Sequence, residues 1–215
     1  GYGCSSSSPV RQVLDMNTDW AFYRGDVEEG HKADLDDSGW MPAVIPHIMQ
    51  LETKHCGGNS IYDGIGWYRR YFKLPAEYKG KRIVVSFEGV MTNCDVYLNE
   101  EKITTHHGGY MGFVADLTDR INWDGNNILA VRVSAEYDPL TPPGKPQDKM
   151  DFYYYSGIYR DVSMVITDKV YITDPLQENI IAGGGQFVTF PEVTKERAKT
   201  HLSTHIRNLT DEYKD

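Results

Sequence analysis

Four runs of this chain alternate apolar and polar residues with a period of two. Ile83, Val85 and Phe87 alternate with Val84, Ser86 and Glu88, and Cys94, Val96 and Leu98 with Asp95, Tyr97 and Asn99. Leu129, Val131 and Val133 alternate with Ala130, Arg132 and Ser134, and Val162, Met164 and Ile166 with Asp161, Ser163 and Val165. Such a period over five to seven residues marks a strand that turns one face to a core. Gly and Asn clusters separate the runs: Glu88-Gly89, Gly108-Gly109, Asp124-Gly125-Asn126-Asn127 and Ser156-Gly157. No long stretch keeps a helical period. The pattern predicts an all-β protein, an antiparallel sandwich rather than a βαβ fold.

The chain has 215 residues, enough for one full domain plus a remainder or for one large β domain. Lys and Arg number 22 against 31 Asp and Glu, a formal charge of −9 that would repel a phosphate backbone and argues against a nucleic-acid partner. The longest apolar runs, such as Ile83-Val84-Val85, are too short for a membrane-spanning helix. Cysteines at 4, 56 and 94 fit neither a disulfide framework nor a zinc pattern, and no metal or other cofactor is expected. Cys94 lies on the inward register of its strand and reads as a small core residue. Cys56, beside His55 in a loop, is a poor nucleophile pair because adjacent residues seldom face each other. The 15 Tyr and four Trp fit either a carbohydrate-facing surface or an aromatic sandwich core.

Residues 1–9 read as a flexible lead. Gly3-Cys4-Ser5-Ser6-Ser7-Ser8 resembles the surroundings of a lipidated cysteine, which would place the protein in the periplasm or on the outer membrane of a bacterium. The alternative is a plain flexible tail and a cytoplasmic protein.

Residues 137–151 have another character. Pro139, Pro142, Pro143 and Pro146 remove backbone donors and fix φ, giving a shaped loop. It runs into Asp151-Phe152-Tyr153-Tyr154-Tyr155, an acid followed by four aromatics. A carboxylate can accept hydrogen bonds from two adjacent sugar hydroxyls while aromatic rings cover the apolar face of a pyranose. The competing reading is that Asp151 caps the loop or pairs with Arg160, and that the tyrosines pack the sandwich. Asp63, in Asp63-Gly64, is either a second binding carboxylate or a plain turn former. His106, His107 and His47 read first as structural residues, and Arg160 with Asp161 as a structural ion pair or network. After about Asp168 the chain passes Gly183-Gly184-Gly185. It then alternates again over Ala198–Arg207, with Leu202, Thr204 and Ile206 on one face.

Several stretches, in order, resemble one family: Asp36-Asp37-Ser38-Gly39-Trp40 with Ile45-Pro46-His47; Gly66-Trp67-Tyr68-Arg69-Arg70; Phe87-Glu88-Gly89-Val90; and Val96-Tyr97-Leu98-Asn99. They continue with His107-Gly108-Gly109-Tyr110 and Phe113, Asp116-Leu117-Thr118, Asn126-Asn127-Ile128-Leu129-Ala130-Val131, and Ser156-Gly157-Ile158-Tyr159-Arg160-Asp161-Val162. From about Trp20 to Ile166 the sequence resembles the N-terminal sugar-binding jelly-roll domain of family-2 glycoside hydrolases, closest in type to a bacterial β-galactosidase.

The resemblance implies a jelly-roll β-sandwich over 10–170, then the start of an immunoglobulin-like sandwich over 171–215. It implies that the two catalytic Glu residues of a retaining enzyme, ~5–5.5 Å apart, belong to a barrel outside this sequence. The family's sugar-contacting acid, five residues before the small residue of its Ser/Ala-Gly-Ile motif, maps to Asp151. A second position, three residues before the Gly that opens the Gly-x-Tyr strand, maps to Asp63, where some β-galactosidases carry Asn. The implied partners are a terminal β-galactoside or related glycoside and the parent's catalytic barrel, with self-association possible through open strand edges. The implied role is that of a non-catalytic accessory domain, inactive alone. The alternatives are a stand-alone carbohydrate-binding module, a domain of a β-glucuronidase or β-mannosidase, or a small enzyme using Asp63 and Asp151 as paired carboxylates.

Overall fold

The computed structural model describes residues 11–50 and 62–212. Cys4 and the lead, and His55 with Cys56, lie outside them. The strands are β1 (Arg11–Asp15), β2 (Trp20–Arg24), β3 (Met41–Ala43), β4 (Ile65–Phe72), β5 (Arg82–Phe87), β6 (Val90–Met91), β7 (Asn93–Leu98) and β8 (Glu101–His107). They continue as β9 (Phe113–Asp116), β10 (Asn127–Ser134), β11 (Gly157–Ile158), β12 (Val162–Thr167), β13 (Val170–Ile172), β14 (Gln186–Val193), β15 (Ala198–Thr204) and β16 (Ile206–Asn208). One short α-helix, α1 (Pro175–Glu178), is capped by Asp174, whose carboxylate accepts from the N–H groups of Leu176 and Gln177.

Two antiparallel sheets form the sandwich, with strand orders β1-β12-β5-β9 and β3-β2-β4-β10-β7-β8. The alternating residues meet between them. Ile83, Val85 and Phe87 are wholly buried, and so are Val96, Leu98, Leu129, Val131, Val133 and Met164. Cys94 is buried in the same core, as expected, and burial pushes its thiol pKa up.

The quoted motifs hold the sandwich together. Asn99 turns the β7–β8 hairpin at φ 48°, in the left-handed region that Asn tolerates. Its side chain accepts from Ile128 N–H and donates to Asn127, which is itself completely buried. Arg69, also completely buried, bonds Asp37, the carbonyls of Gly30 and Lys32, and the Tyr71 hydroxyl. Tyr159 donates to the Gly109 carbonyl at 2.5 Å, and its ring lies 2.9 Å from where a side chain on Gly89 would begin.

The outward residues of β5 and β12 are less exposed than a two-layer sandwich requires, because the chain after β12 folds back over them. Val84 and Arg82 are nearly buried, and the Arg82 guanidinium lies 4.2 Å from the Tyr171 ring. Beyond this, β13 pairs with β16 and β14 with β15. The alternation expected through 198–207 breaks at His205. Its backbone bonds Gly185 and Thr173 and its ring meets the Thr173 hydroxyl, so Leu202 and Ile206 belong to different sheets.

Candidate functional site

Strand register brings the candidate residues to one end of the six-stranded sheet. Ile65 at the start of β4 faces Ser134 at the end of β10, Ser134 faces Asn93 at the start of β7, and Asn93 faces His107 at the end of β8. Asp63 therefore leads into the same end from which the proline-rich loop departs after Ser134. Thr92 and the His107–Gly109 turn sit there too.

Local bonds shape this rim. Asp138 accepts from Leu140 N–H at 2.9 Å, Thr141 Oγ1 at 2.6 Å and Asn93 Nδ2 at 3.2 Å. These bonds, that of Thr141 foremost, hold its carboxyl below the usual carboxylate range. Asn93 also accepts from Gly108 N–H, so one side chain ties the β8 turn to the proline-rich loop. Gln147 donates to the Tyr154 carbonyl at 2.8 Å and anchors the aromatic run from below. Ser156 meets the Tyr62 carbonyl at 3.4 Å, and its own carbonyl accepts from Met49 N–H. Gly157, at φ 130°, packs where a Cβ would stand 2.7 Å from both the His47 carbonyl and the Tyr68 hydroxyl, so this turn needs glycine.

On this frame Asp151 is exposed, flanked by exposed Phe152, with exposed Tyr155 and half-buried Tyr153 and Tyr154 following. Asp63 is exposed as well. Burial raises the pKa of the Tyr154 hydroxyl. The Asp63 turn is tied to the loop of Asp151 by the Ser156–Tyr62 bond. Exposed Tyr110, Met111 and Tyr137 complete a rim rich in aromatic and acidic groups.

His47 and His106 pack against core aromatics, whereas His107 is exposed. His47 Nδ1 lies 2.9 Å from the Tyr68 hydroxyl and its ring 4.7 Å from Phe22; burial lowers its pKa. His106 stacks on Phe113 at 4.3 Å, and burial lowers its pKa too. The expected ion pair of Arg160 with Asp161 does not form. Arg160 stands at a bend between β11 and β12 and lies over the Tyr159 ring, while Asp161 accepts from Asn17 Nδ2. Nor does Arg160 form an ion pair with Asp151. Among the described residues no cluster of three His, Cys, Asp or Glu could hold a metal ion.

Asn93, Asp138 and Gln147 escaped sequence reasoning, although Asp138-Pro139-Leu140-Thr141 carries an Asx-turn signal. Nothing local in the sequence marks Asn93 or Gln147, whose partners come from other loops.

A family model described as "Glycosyl hydrolases family 2, sugar binding domain" matches residues 55–168. A β-galactosidase of Thermoanaerobacter pseudethanolicus is 35% identical over 179 residues, covering 79% of this chain and 24% of the relative. A β-glucuronidase of Bacteroides fragilis is 31% identical over 208 residues, covering 94% of this chain and 27% of the relative. A crystal structure of a β-glucuronidase from Bacteroides uniformis superposes with a TM-score of 0.81 at 27% identity, covering 94% of this chain and 23% of that one. The chain spans about a quarter of the length of these relatives.

Proposed function

This chain belongs to glycosyl hydrolase family 2, whose sugar-binding domain it carries, and we propose that it is the non-catalytic sugar-contacting lobe of a retaining exo-β-glycosidase acting on terminal β-galactosides. In this reading residues 10–170 form the sugar-binding domain and 171–215 open a second, immunoglobulin-like sandwich. Asp151 and Asp63 bind hydroxyls of the terminal sugar, and the reacting carboxylates come from the parent's catalytic barrel.

One observation carries the reading: Asp151 stands exposed at the end of a loop held by Asp138 and Gln147, beside exposed Phe152 and Tyr155. An exposed carboxylate in a run of aromatic residues can bond two hydroxyls while rings cover the apolar face of a hexose.

β-Glucuronide hydrolysis is the second reading, favoured by the β-glucuronidases among the relatives. Charge favours the neutral sugar. A uronate would bring its carboxylate toward a rim carrying Asp63 and Asp151, in a chain of net charge −9, and like charges raise the cost of binding.

The test assays the parent enzyme on nitrophenyl β-galactoside, β-glucuronide and β-mannoside, with this chain alone as control. The reading expects turnover of the galactoside by the parent and none by the chain. A parent that prefers the glucuronide overturns the choice of sugar, and turnover by the chain overturns the accessory role.

A further inference from the structure

The two sheets of the sandwich end in four edge strands, β1 and β9 on one and β3 and β8 on the other. An open edge offers unpaired N–H and C=O groups to any strand that approaches, and proteins blunt such edges. Three of these four are blunted. β3 has three residues and carries Pro42, which has no N–H. β8 carries Lys102, and its pairing with β7 shifts register between Val96 and Tyr97. β9 has four residues, and α1 lies against it. β1 has five, Arg11-Gln12-Val13-Leu14-Asp15, with no Pro, no Lys and no register shift.

Ladder parity fixes what β1 turns to its open side. Met16 N–H donates to the Val162 carbonyl, continuing the register in which Asp15 faces Ser163. Alternate residues of an antiparallel strand direct their backbone groups to opposite sides. Gln12 and Leu14 therefore turn theirs to β12, and Arg11, Val13 and Asp15 turn theirs to the open edge. The side chains of these three share one face of the strand. All three residues are exposed, Val13 by 53%. Leu14, on the other face, packs against the core.

This edge is complementary to itself. When β1 meets a second β1 antiparallel, with Val13 opposite Val13, Arg11 of each copy stands opposite Asp15 of the other. The facing pairs are then of the hydrogen-bonded kind, in which each residue donates its N–H and accepts with its C=O. The exposed valines meet at the centre, and an opposite-charge pair closes each end. Asn17 N–H donates to Asp15 Oδ1 at 2.8 Å, which leaves Oδ2 for the arginine. A slip of two residues either way sets Val13 opposite Arg11 or Asp15 and breaks both ion pairs, so charge fixes the register.

We propose that β1 is the interface between two copies of this chain, joining their four-stranded sheets into one continuous sheet across a two-fold axis. This edge is separate from the open edges of β14 and β15, and the assignment does not rest on the glycoside reading.

Sedimentation velocity of the 215-residue chain carrying Phe190→Lys tests it. That substitution charges the apolar hairpin β14–β15, and low ionic strength keeps exposed ion pairs from being screened. A dimer is expected as concentration rises. Arg11→Asp and Asp15→Arg, each added to that background, should sediment as monomers, because each sets like charges opposite one another at both ends. Mixed one to one they should dimerise again, because every end pair is once more an acid facing an arginine. Amide hydrogen exchange on the Phe190→Lys chain, whose edge is unaltered, stands even where a charge variant fails to fold. There the Val13 N–H should exchange about tenfold more slowly in the dimer than on dilution. A monomer at every concentration overturns the proposal. So does association that survives either charge reversal, a mixture of folded variants that stays monomeric, or Val13 exchange that does not change with concentration.

Discussion

Arg69 donates from Nε to Asp37 Oδ2 at 2.7 Å, and that bond joins two sequence motifs into one unit. The guanidinium is wholly buried under Trp40 and Tyr71, 5.9 and 5.8 Å away, and its other donors go to Gly30, Lys32 and the Tyr71 hydroxyl. Tyr71 returns a bond to the same Asp37 oxygen at 2.9 Å. Asp36-Asp37-Ser38-Gly39-Trp40 is thus a lid that supplies the counter-charge and one covering ring for an arginine of β4.

Removing that counter-charge leaves a buried cation unpaired, the costly way to break an ion pair. Asp37→Ala is expected to destabilise the chain by about 3 kcal/mol, read from the midpoint of chemical denaturation. Asp36→Ala is the control, because Asp36 is exposed and bonds only its near neighbour Ser38, through that residue's N–H and side chain. Equal midpoints for the two variants would show that Arg69 does not depend on Asp37.

The glycines of the motifs differ in the same testable way. A Cβ on Gly109 would lie 2.1 Å from Met91 Sδ and one on Gly89 2.9 Å from the Tyr159 ring, whereas one on Gly39 would meet nothing within 4 Å. Gly89→Ala and Gly109→Ala are expected to cost about 1–3 kcal/mol each through overpacking. Gly39→Ala should leave the melting midpoint essentially where it is. If Gly89→Ala melts like Gly39→Ala, Tyr159 is not clamped as described.

Strand positions were legible because period two is a local property. Residues 83–87, 94–98, 129–133 and 162–166 all lie in strands whose alternate side chains are buried. Long-range pairing is not local. Nothing near Arg69 in the sequence says that it lies in the core, since Asp37 and Trp40 come from 29 or more residues away. Val84 sits on the polar side of its strand's alternation, and its burial depends on chain that arrives after β12. The expected Arg160–Asp161 pair failed for a related reason: Asp161 is taken by Asn17, 144 residues away in the sequence. At the rim, the exposed acid and the rings after it were readable. The bonds of Asn93, Asp138 and Gln147 that hold them were not.

Stability should fall on acidification in two windows. Asp26 has its pKa lowered to about 2, chiefly by the Arg132 bond, with Trp67 Nε1 donating at 3.0 Å. A carboxyl with a depressed folded pKa stabilises above the unfolded value of 3.8 and loses that contribution as pH falls toward 2. Because its side chain is 51% exposed, solvent screening keeps the contribution under about 1 kcal/mol. His47, also depressed by burial, binds its proton more readily when unfolded, so stability starts to fall as pH drops below its ordinary 6.5. Urea midpoints from pH 8 to pH 2 check both. Asp26→Asn should shrink the lower window, to which Asp138 and Asp95 also contribute, and leave the upper one in place; an unchanged lower window would remove Asp26 as a cause.

In the parent enzyme, Asp151→Ala is expected to lower turnover about 10²-fold, or ~3 kcal/mol of transition-state binding. Asp63→Ala tests the second carboxylate and the charge argument together. It should weaken galactoside turnover while easing the discrimination against a glucuronide, because one of two like charges is gone. Unchanged kinetics in Asp151→Ala would take that residue out of the sugar site.

The paired strands β14 and β15 present Phe187, Val188, Phe190, Val193 and Leu202 at 42–67% exposure. A hairpin with this much open apolar surface and an open outer edge on each of its two strands is a template for a second copy. The chain is therefore expected to associate with itself, visible as a concentration-dependent shift in sedimentation velocity. Phe190→Lys puts a charge on the most exposed aromatic of β14 and should move the equilibrium toward monomer without lowering the sandwich's melting midpoint, since that core lies elsewhere. Sedimentation as a monomer across the whole concentration range would show that this hairpin does not bind its own copy.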